Sequence, residues 1–283
     1  MSEWSVAEPQ RLSFDAPVTA VQVRIVNGTV NVVGTEESSA RLEVSRIEGP
    51  PLRVTEQDGT LTVAYEDLPW KGFLKWLDPR GWRRHAVVSL TVPADTGVEV
   101  GVVGATAVIS GIRGETAVRG VSGETTLVGL RAAVRAETVS GDVEAQGVTG
   151  ELTFHSVSGD LTLLEGAGAV QAVSVSGSLT VDHERADPPA RMELSTVSGR
   201  IAVRLPHQAD AEVEAGTTSG AVSNAFEDLR VGPAWGPRGI SGRLGRGRGR
   251  LRATSVSGPI ALLRRAPEEE PEAPAAASGK KVL

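Results

Sequence analysis

At 283 residues, 40% apolar and with a mean hydropathy of −0.07, the chain has material for one elongated domain or two compact ones. Its net charge of −6 excludes a global basic footprint for nucleic acid, and the lack of cysteine excludes disulfide staples and thiolate metal sites. Only ten residues are aromatic (five Trp, one Tyr, four Phe), so any core is aliphatic, while 33 glycines allow many corners.

Residues 1–11 read as an N-terminal extension, and the start, Met1-Ser-Glu-Trp4, shows neither a basic nor an apolar leader pattern. No window approaches the roughly eighteen consecutive apolar residues that a membrane-crossing helix needs. The expectation is a soluble cytoplasmic protein without a transmembrane segment, envelope association being the alternative. Residues 12–93 read as irregular coils, with alternating apolar segments at 12–14, 21–26, 29–33, 41–47 and 61–65. Turn signals separate them at Asn27-Gly28, Pro50-Pro51 and Asp58-Gly59. Asn27-Gly28 is either the corner of a first coil or part of a hairpin cap that shields a solenoid end.

Residues 68–85 break every surrounding pattern: Trp70, Phe73, Trp76 and Trp82 interleave with Lys71, Lys75, Arg80, Arg83 and Arg84 against a single acid, Asp78. Aromatic and basic side chains mixed in this way suit an anionic membrane surface or an acidic partner. The plainer reading packs the tryptophans onto the coil and leaves the cations in water. The candidate interaction residues here are Trp70, Lys71, Phe73, Lys75, Trp76, Trp82, Arg83 and Arg84.

A regular array spans residues 94–265. Glycines at 114, 123, 141, 150, 159, 168 and 177 form a ladder with a step of nine, interrupted only by Ala132. Gly123, Gly141, Gly159 and Gly177 each follow Val-Ser and lie eighteen apart, so the period is eighteen, in two similar halves. Around Gly141, Gly150, Gly159 and Gly177 the positions two before, two after and four after are apolar, as in Val157, Leu161 and Leu163. This is strand periodicity, and nine is odd, so each Ser-Gly must reset the phase by turning a corner. Stacked coils with such corners form an all-β, single-chain parallel β-helix with about eighteen residues per coil.

Beyond Gly177 the spacing lengthens, and residues 182–190 and 224–242 read as loops. In the run Gly242 to Arg252, Arg246, Arg248, Arg250 and Arg252 alternate with Gly and Leu, which on an extended chain points all four to one side. This stripe is a second candidate interaction surface. The alternative is an exposed strand face bridged to the tail, residues 266–283, which reads as disordered and acidic, with Glu268-Glu-Glu270.

Chemistry is sparse. Glu124, Asp142 and Asp160, one per coil, form a column that is either a solvated edge or a weak calcium site. Ser122, Ser140, Ser158 and Ser176 recur at the corners, and a nucleophile is not copied once per coil, so backbone hydrogen bonding is their expected role. His85, His155, His183 and His207 lack metal-ligand spacing, and no nucleophile elbow occurs. No cofactor, metal or catalytic residue is expected.

The runs Thr138-Val-Ser-Gly-Asp-Val143, Ser156-Val-Ser-Gly-Asp-Leu161 and Ser174-Val-Ser-Gly-Ser-Leu179 resemble a bacterial β-strand-repeat family labelled as candidate adhesins, with a domain of unknown function. Val88-Ser-Leu-Thr-Val-Pro93, entering the array, and Thr254-Ser-Val-Ser-Gly-Pro-Ile260, closing it, extend the likeness over residues 12–265. The resemblance implies a right-handed β-helix and supplies no catalytic residues. The expected function is a non-catalytic, rigid interaction or adhesin-like scaffold for an unknown protein partner or anionic surface, homo-oligomers being compatible. The alternatives are a polysaccharide-acting β-helix enzyme and a protein that binds anionic membranes through residues 68–85.

Overall fold

In the computed structural model, residues 2–65, 84–184, 189–232 and 238–266 are described. Their regular structure is all strand. The N-terminal part contributes β1 (Ser2–Val6), β2 (Gln10–Phe14), β3 (Ala20–Ile25), β4 (Asn27–Thr35), β5 (Ala40–Glu48), β6 (Leu52–Gln57), β7 (Thr60–Ala64) and β8 (His85–Pro93). The array follows as β9 (Gly97–Val102), β10 (Thr106–Ser110), β11 (Thr116–Gly120), β12 (Thr125–Val128), β13 (Val134–Thr138) and β14 (Val143–Gln146). It continues as β15 (Leu152–Ser156), β16 (Leu161–Gly166), β17 (Val170–Ser174), β18 (Leu179–His183), β19 (Arg191–Thr196) and β20 (Ile201–Leu205). The last strands are β21 (Ala211–Thr217), β22 (Val222–Asn224), β23 (Leu229–Val231), β24 (Arg238–Leu244), β25 (Gly249–Ser255) and β26 (Ile260–Arg264).

Two sheets share these strands and enclose one aliphatic core. A 14-stranded sheet runs β1-β6-β7-β3-β9-β11-β13-β15-β17-β19-β25-β21-β24-β23, and a 12-stranded sheet runs β2-β5-β8-β4-β10-β12-β14-β16-β18-β20-β26-β22. From β9 to β20 the chain alternates between sheets and pairs in parallel. Val134 stands beside Leu152 and Leu152 beside Val170, a step of 152 − 134 = 18 residues. The architecture is therefore all-β and solenoid-like, with repeating strands in two sheets.

Val143, Ala145, Leu152, Phe154, Leu161, Leu163, Leu179 and Val181, two and four residues after their glycines, are all at most 3% exposed. The position two before the glycine differs from expectation. Val148 is buried, but Val157, Val175, Val197 and Val256 are 52%, 49%, 46% and 51% exposed and form an outward ridge along the corners. The reason is that the inward slot belongs to the hydroxyl residue one position earlier. Thr138, Ser156 and Ser174 accept the N–H of Gly141, Gly159 and Gly177 at 2.8, 2.7 and 2.9 Å. With that residue facing in, the next must face out. The following serine bonds across coils: Ser140 Oγ donates to Val121 O at 3.1 Å and Ser158 Oγ to Val139 O at 3.3 Å. Ser174 is 2% exposed, so Ser174→Ala strands the Gly177 N–H and should cost about 1–2 kcal/mol, read as a lowered denaturation midpoint.

The corner glycines also have a different cause from the one their sequence suggests. Gly123, Gly141, Gly159 and Gly177 do not adopt positive φ. They are required because the coils touch there: a Cβ on Gly141 would lie 2.3 Å from Gly123 O, and one on Gly177 2.0 Å from Gly159 O. Positive φ occurs instead at the other end of the 12-stranded sheet's strands, at Gly111, Gly129 and Gly147 and then at Glu165 (φ 54°).

Both ends depart from sequential stacking. Residues 20–35 form β3 and β4, which lie directly against β9 and β10, while β7 and β8 stack on their far side. Asn27-Gly28 is accordingly a coil corner, with Gly28 against Ala86. β1 and β2 pair antiparallel with β6 and β5, ending the stack with Trp4 edge-on to Phe14 at 5.4 Å. At the C-terminal end, β25 and β26 slot between β19/β20 and β21/β22. The Gly258 corner therefore stacks on Gly199, and Gly220 stacks on Gly258. The unit expected to close the array is internal to it.

Candidate functional site

The intercalated strand organises the net-cationic section of the described residues. Residues 189–266 carry twelve arginines against six acids, 12 − 6 = +6, whereas residues 84–184 carry five arginines against twelve acids, 5 − 12 = −7. On the outer face of the 14-stranded sheet, Arg250 stands between Arg191 of β19 and Glu212 of β21, and Arg252 stands between Glu193 and Glu214. Arg252 Nε lies 3.9 Å from Glu214, and Arg243 of β24 reaches Glu212 at 3.3 Å. Arg191 and Arg250 are register neighbours of like charge. Among the described residues neither guanidinium has an ion pair or hydrogen bond. Together with Arg248 and the acids Glu151, Glu193 and Glu212 they line a cleft of about 520 Å³.

The four arginines of the stripe do not share a side as expected. Gly245 and Gly247 have φ of +57° and +73°, so residues 245–248 turn and the extended strand starts only at Gly249. Arg248 is held by Asp210, whose carboxylate accepts its backbone N–H at 2.9 Å and its Nε at 2.6 Å. That backbone bond, with the guanidinium beside it, keeps the Asp210 carboxyl below the usual carboxylate range. Arg248 thus pins the crossover into β25. Arg246 is exposed, with no partner among the described residues. It lines a second cleft of about 530 Å³ with His207, Phe226, Asp228 and Arg264, whose guanidinium lies 4.9 Å from the centroid of the Phe226 ring.

Trp70, Lys71, Phe73, Lys75, Trp76, Trp82 and Arg83 lie outside the described residues. Arg84, next to them, has its guanidinium 5.2 Å from the centroid of the Tyr65 ring, and burial pushes the Tyr65 hydroxyl up to about 12 despite that cation. In the acidic column, Asp142 and Asp160 are bonded to backbone. Asp142 accepts the Asp160 N–H at 2.8 Å, and Asp160 accepts the Ser178 N–H at 2.7 Å, so each carboxylate caps the next coil. Among the described residues, no group of three or more His, Asp or Glu could hold a metal ion, and no helix is long and apolar enough to cross a membrane.

The chain, with its parallel-paired repeat array in two sheets, matches the family model of the Toastrack DUF4097 domain along residues 17–262. The chain belongs to the Toastrack DUF4097 family. Among solved structures, this Toastrack chain is similar to a candidate adhesin from Bacteroides fragilis, with 13% identity, a TM-score of 0.47, and 91% of this chain and 98% of that one covered. It is also similar to a candidate lipid-binding protein from Parabacteroides distasonis, with 15% identity, a TM-score of 0.47, and 92% and 98% covered. A candidate adhesin from the same species shows 11% identity and a TM-score of 0.47 over 93% and 97%. No protein of curated function matches the chain. Arg191, Arg264 and Phe226, which the Toastrack fold brings to these clefts, escape sequence reasoning because Arg191 and Arg250 become neighbours only through intercalation.

Proposed function

We propose that this Toastrack chain is a non-catalytic scaffold, a right-handed β-helix of about eighteen residues per coil, whose cationic C-terminal section docks an anionic protein surface. The observation that carries this is the Arg191–Arg250 pair. At strand spacing, two like charges repel by about 1 kcal/mol even in a water-like medium, and an anion laid across them removes that repulsion. The rest of the surface chemistry supports a scaffold: corner hydroxyls and column carboxylates bond the backbone of neighbouring coils. Titrating the full chain with polyglutamate tests the reading. Binding should weaken with salt and fall about tenfold or more in the Arg191→Gln/Arg250→Gln double variant, at unchanged circular dichroism. Affinity unaffected by the substitutions would remove this face as the site.

A further inference from the structure

The second cleft lies where the described chain ends. The Arg265 N–H donates to Leu205 O at 2.8 Å, and its guanidinium donates to Asp182 at 2.6 Å, so the chain leaves the sheet alongside Pro206. The next residue after Pro206 is His207, on the cleft wall with Arg246, Arg248 and Arg264. Arg248 is already matched by Asp210, which leaves Arg246 and Arg264 facing the single acid Asp228 there. Past Ala266 the sequence reads Pro267-Glu-Glu-Glu270-Pro271-Glu272, four acids within six residues. An extended chain advances about 3.4 Å per residue, which puts Glu268 to Glu270 within about 14 Å of Ala266.

We propose that this cleft is the docking site of the chain's own acidic run Glu268–Glu270, held by Arg246 and Arg264, so that the run, across the Arg248 wall that both clefts share, competes electrostatically with an external anionic partner at Arg191 and Arg250. The inference rests on the proposed function and adds its regulation. Exposed ion pairs are individually weak, but a short tether supplies an effective concentration in the millimolar range, at which weak contacts are substantially occupied.

The absence of native cysteine makes proximity directly measurable in the full chain. With Gln208→Cys and Pro271→Cys introduced and the protein dilute, an intramolecular disulfide should form on oxidation. Adding Arg246→Gln and Arg264→Gln, or about 0.5 M salt, should slow it about fivefold. A rate indifferent to the arginines and to salt, or cross-links only between chains, would overturn the proposal. In a separate arm, Glu268→Gln/Glu269→Gln/Glu270→Gln should bind polyglutamate about fivefold more tightly than the native chain, and equal affinity would count against competition. Loss of all polyglutamate binding with the disulfide pattern intact would sink the external-partner reading and leave the internal contact standing.

Discussion

Gly159→Ala is expected to destabilise the protein by about 3 kcal/mol or more, whereas Gly129→Ala should cost only about 1–2 kcal/mol. A Cβ at residue 159 would lie 2.1 Å from Gly141 O and 2.9 Å from Gly141 C, and both belong to backbone that neighbouring coils hold in place. Relief requires prising two coils apart, with loss of the bonds that Ser158 N–H and Ser158 Oγ make to Val139 O across that corner. At Gly129 nothing lies within 4 Å of the added carbon, so the penalty is only that of a φ of +64° on a residue with a side chain. Urea denaturation of the two variants side by side is the measurement. Equal losses would mean that close stacking does not limit residue choice at the corners.

Asp182→Ala should cost about 3 kcal/mol and loosen the C-terminal coils preferentially. Asp182 is 3% exposed, and its Oδ2 accepts from both Arg204 and Arg265, tying β18 to β20 and to the residue after β26. Burial pushes its carboxyl up, but the bonds from Arg204 and Arg265 and their charges outweigh it, and the net direction is down. A depressed carboxyl stabilises the fold fully above its unfolded value of about 4, and that contribution disappears as pH falls through the lower folded value. In native protein the acid-side loss of stability should therefore be steeper than in Asp182→Ala. Hydrogen exchange should show β25 and β26 opening first in the variant, and uniform loss of protection would point to a global effect.

Much of the architecture is legible in the residues themselves. The eighteen-residue recurrence of Ser/Thr-Val-Ser-Gly and the alternation after each glycine identify corners and inward positions, because those features arise within a few residues of chain. The buried Leu161 and Leu163 follow from the pattern, whereas Val157 faces out against it because the hydroxyl of Ser156, not the valine, fills the inward slot. A signal for the intercalation was also present: Ser255-Val-Ser-Gly258 is a cleaner unit than Thr217-Thr-Ser-Gly220. The cleaner one stacks on the regular array, leaving the degenerate one outside.

The amino-acid sequence by itself determined the strands and corners of the regular array and a net excess of six positive charges between residues 189 and 266. By contrast, β1, β23 and β24 form where it reads an extension and a loop, because β1 and β24 are held by antiparallel partners distant in the chain, β6 and β21, and β23 pairs with β24. Only the tertiary structure decided which coil lies beside which, and hence that Arg250 meets Arg191 and Glu212 rather than a run of its own kind. Strand order is set by long-range pairing among units nearly alike in pattern. Their relative fit is a property of the assembled stack that no local stretch of chain contains.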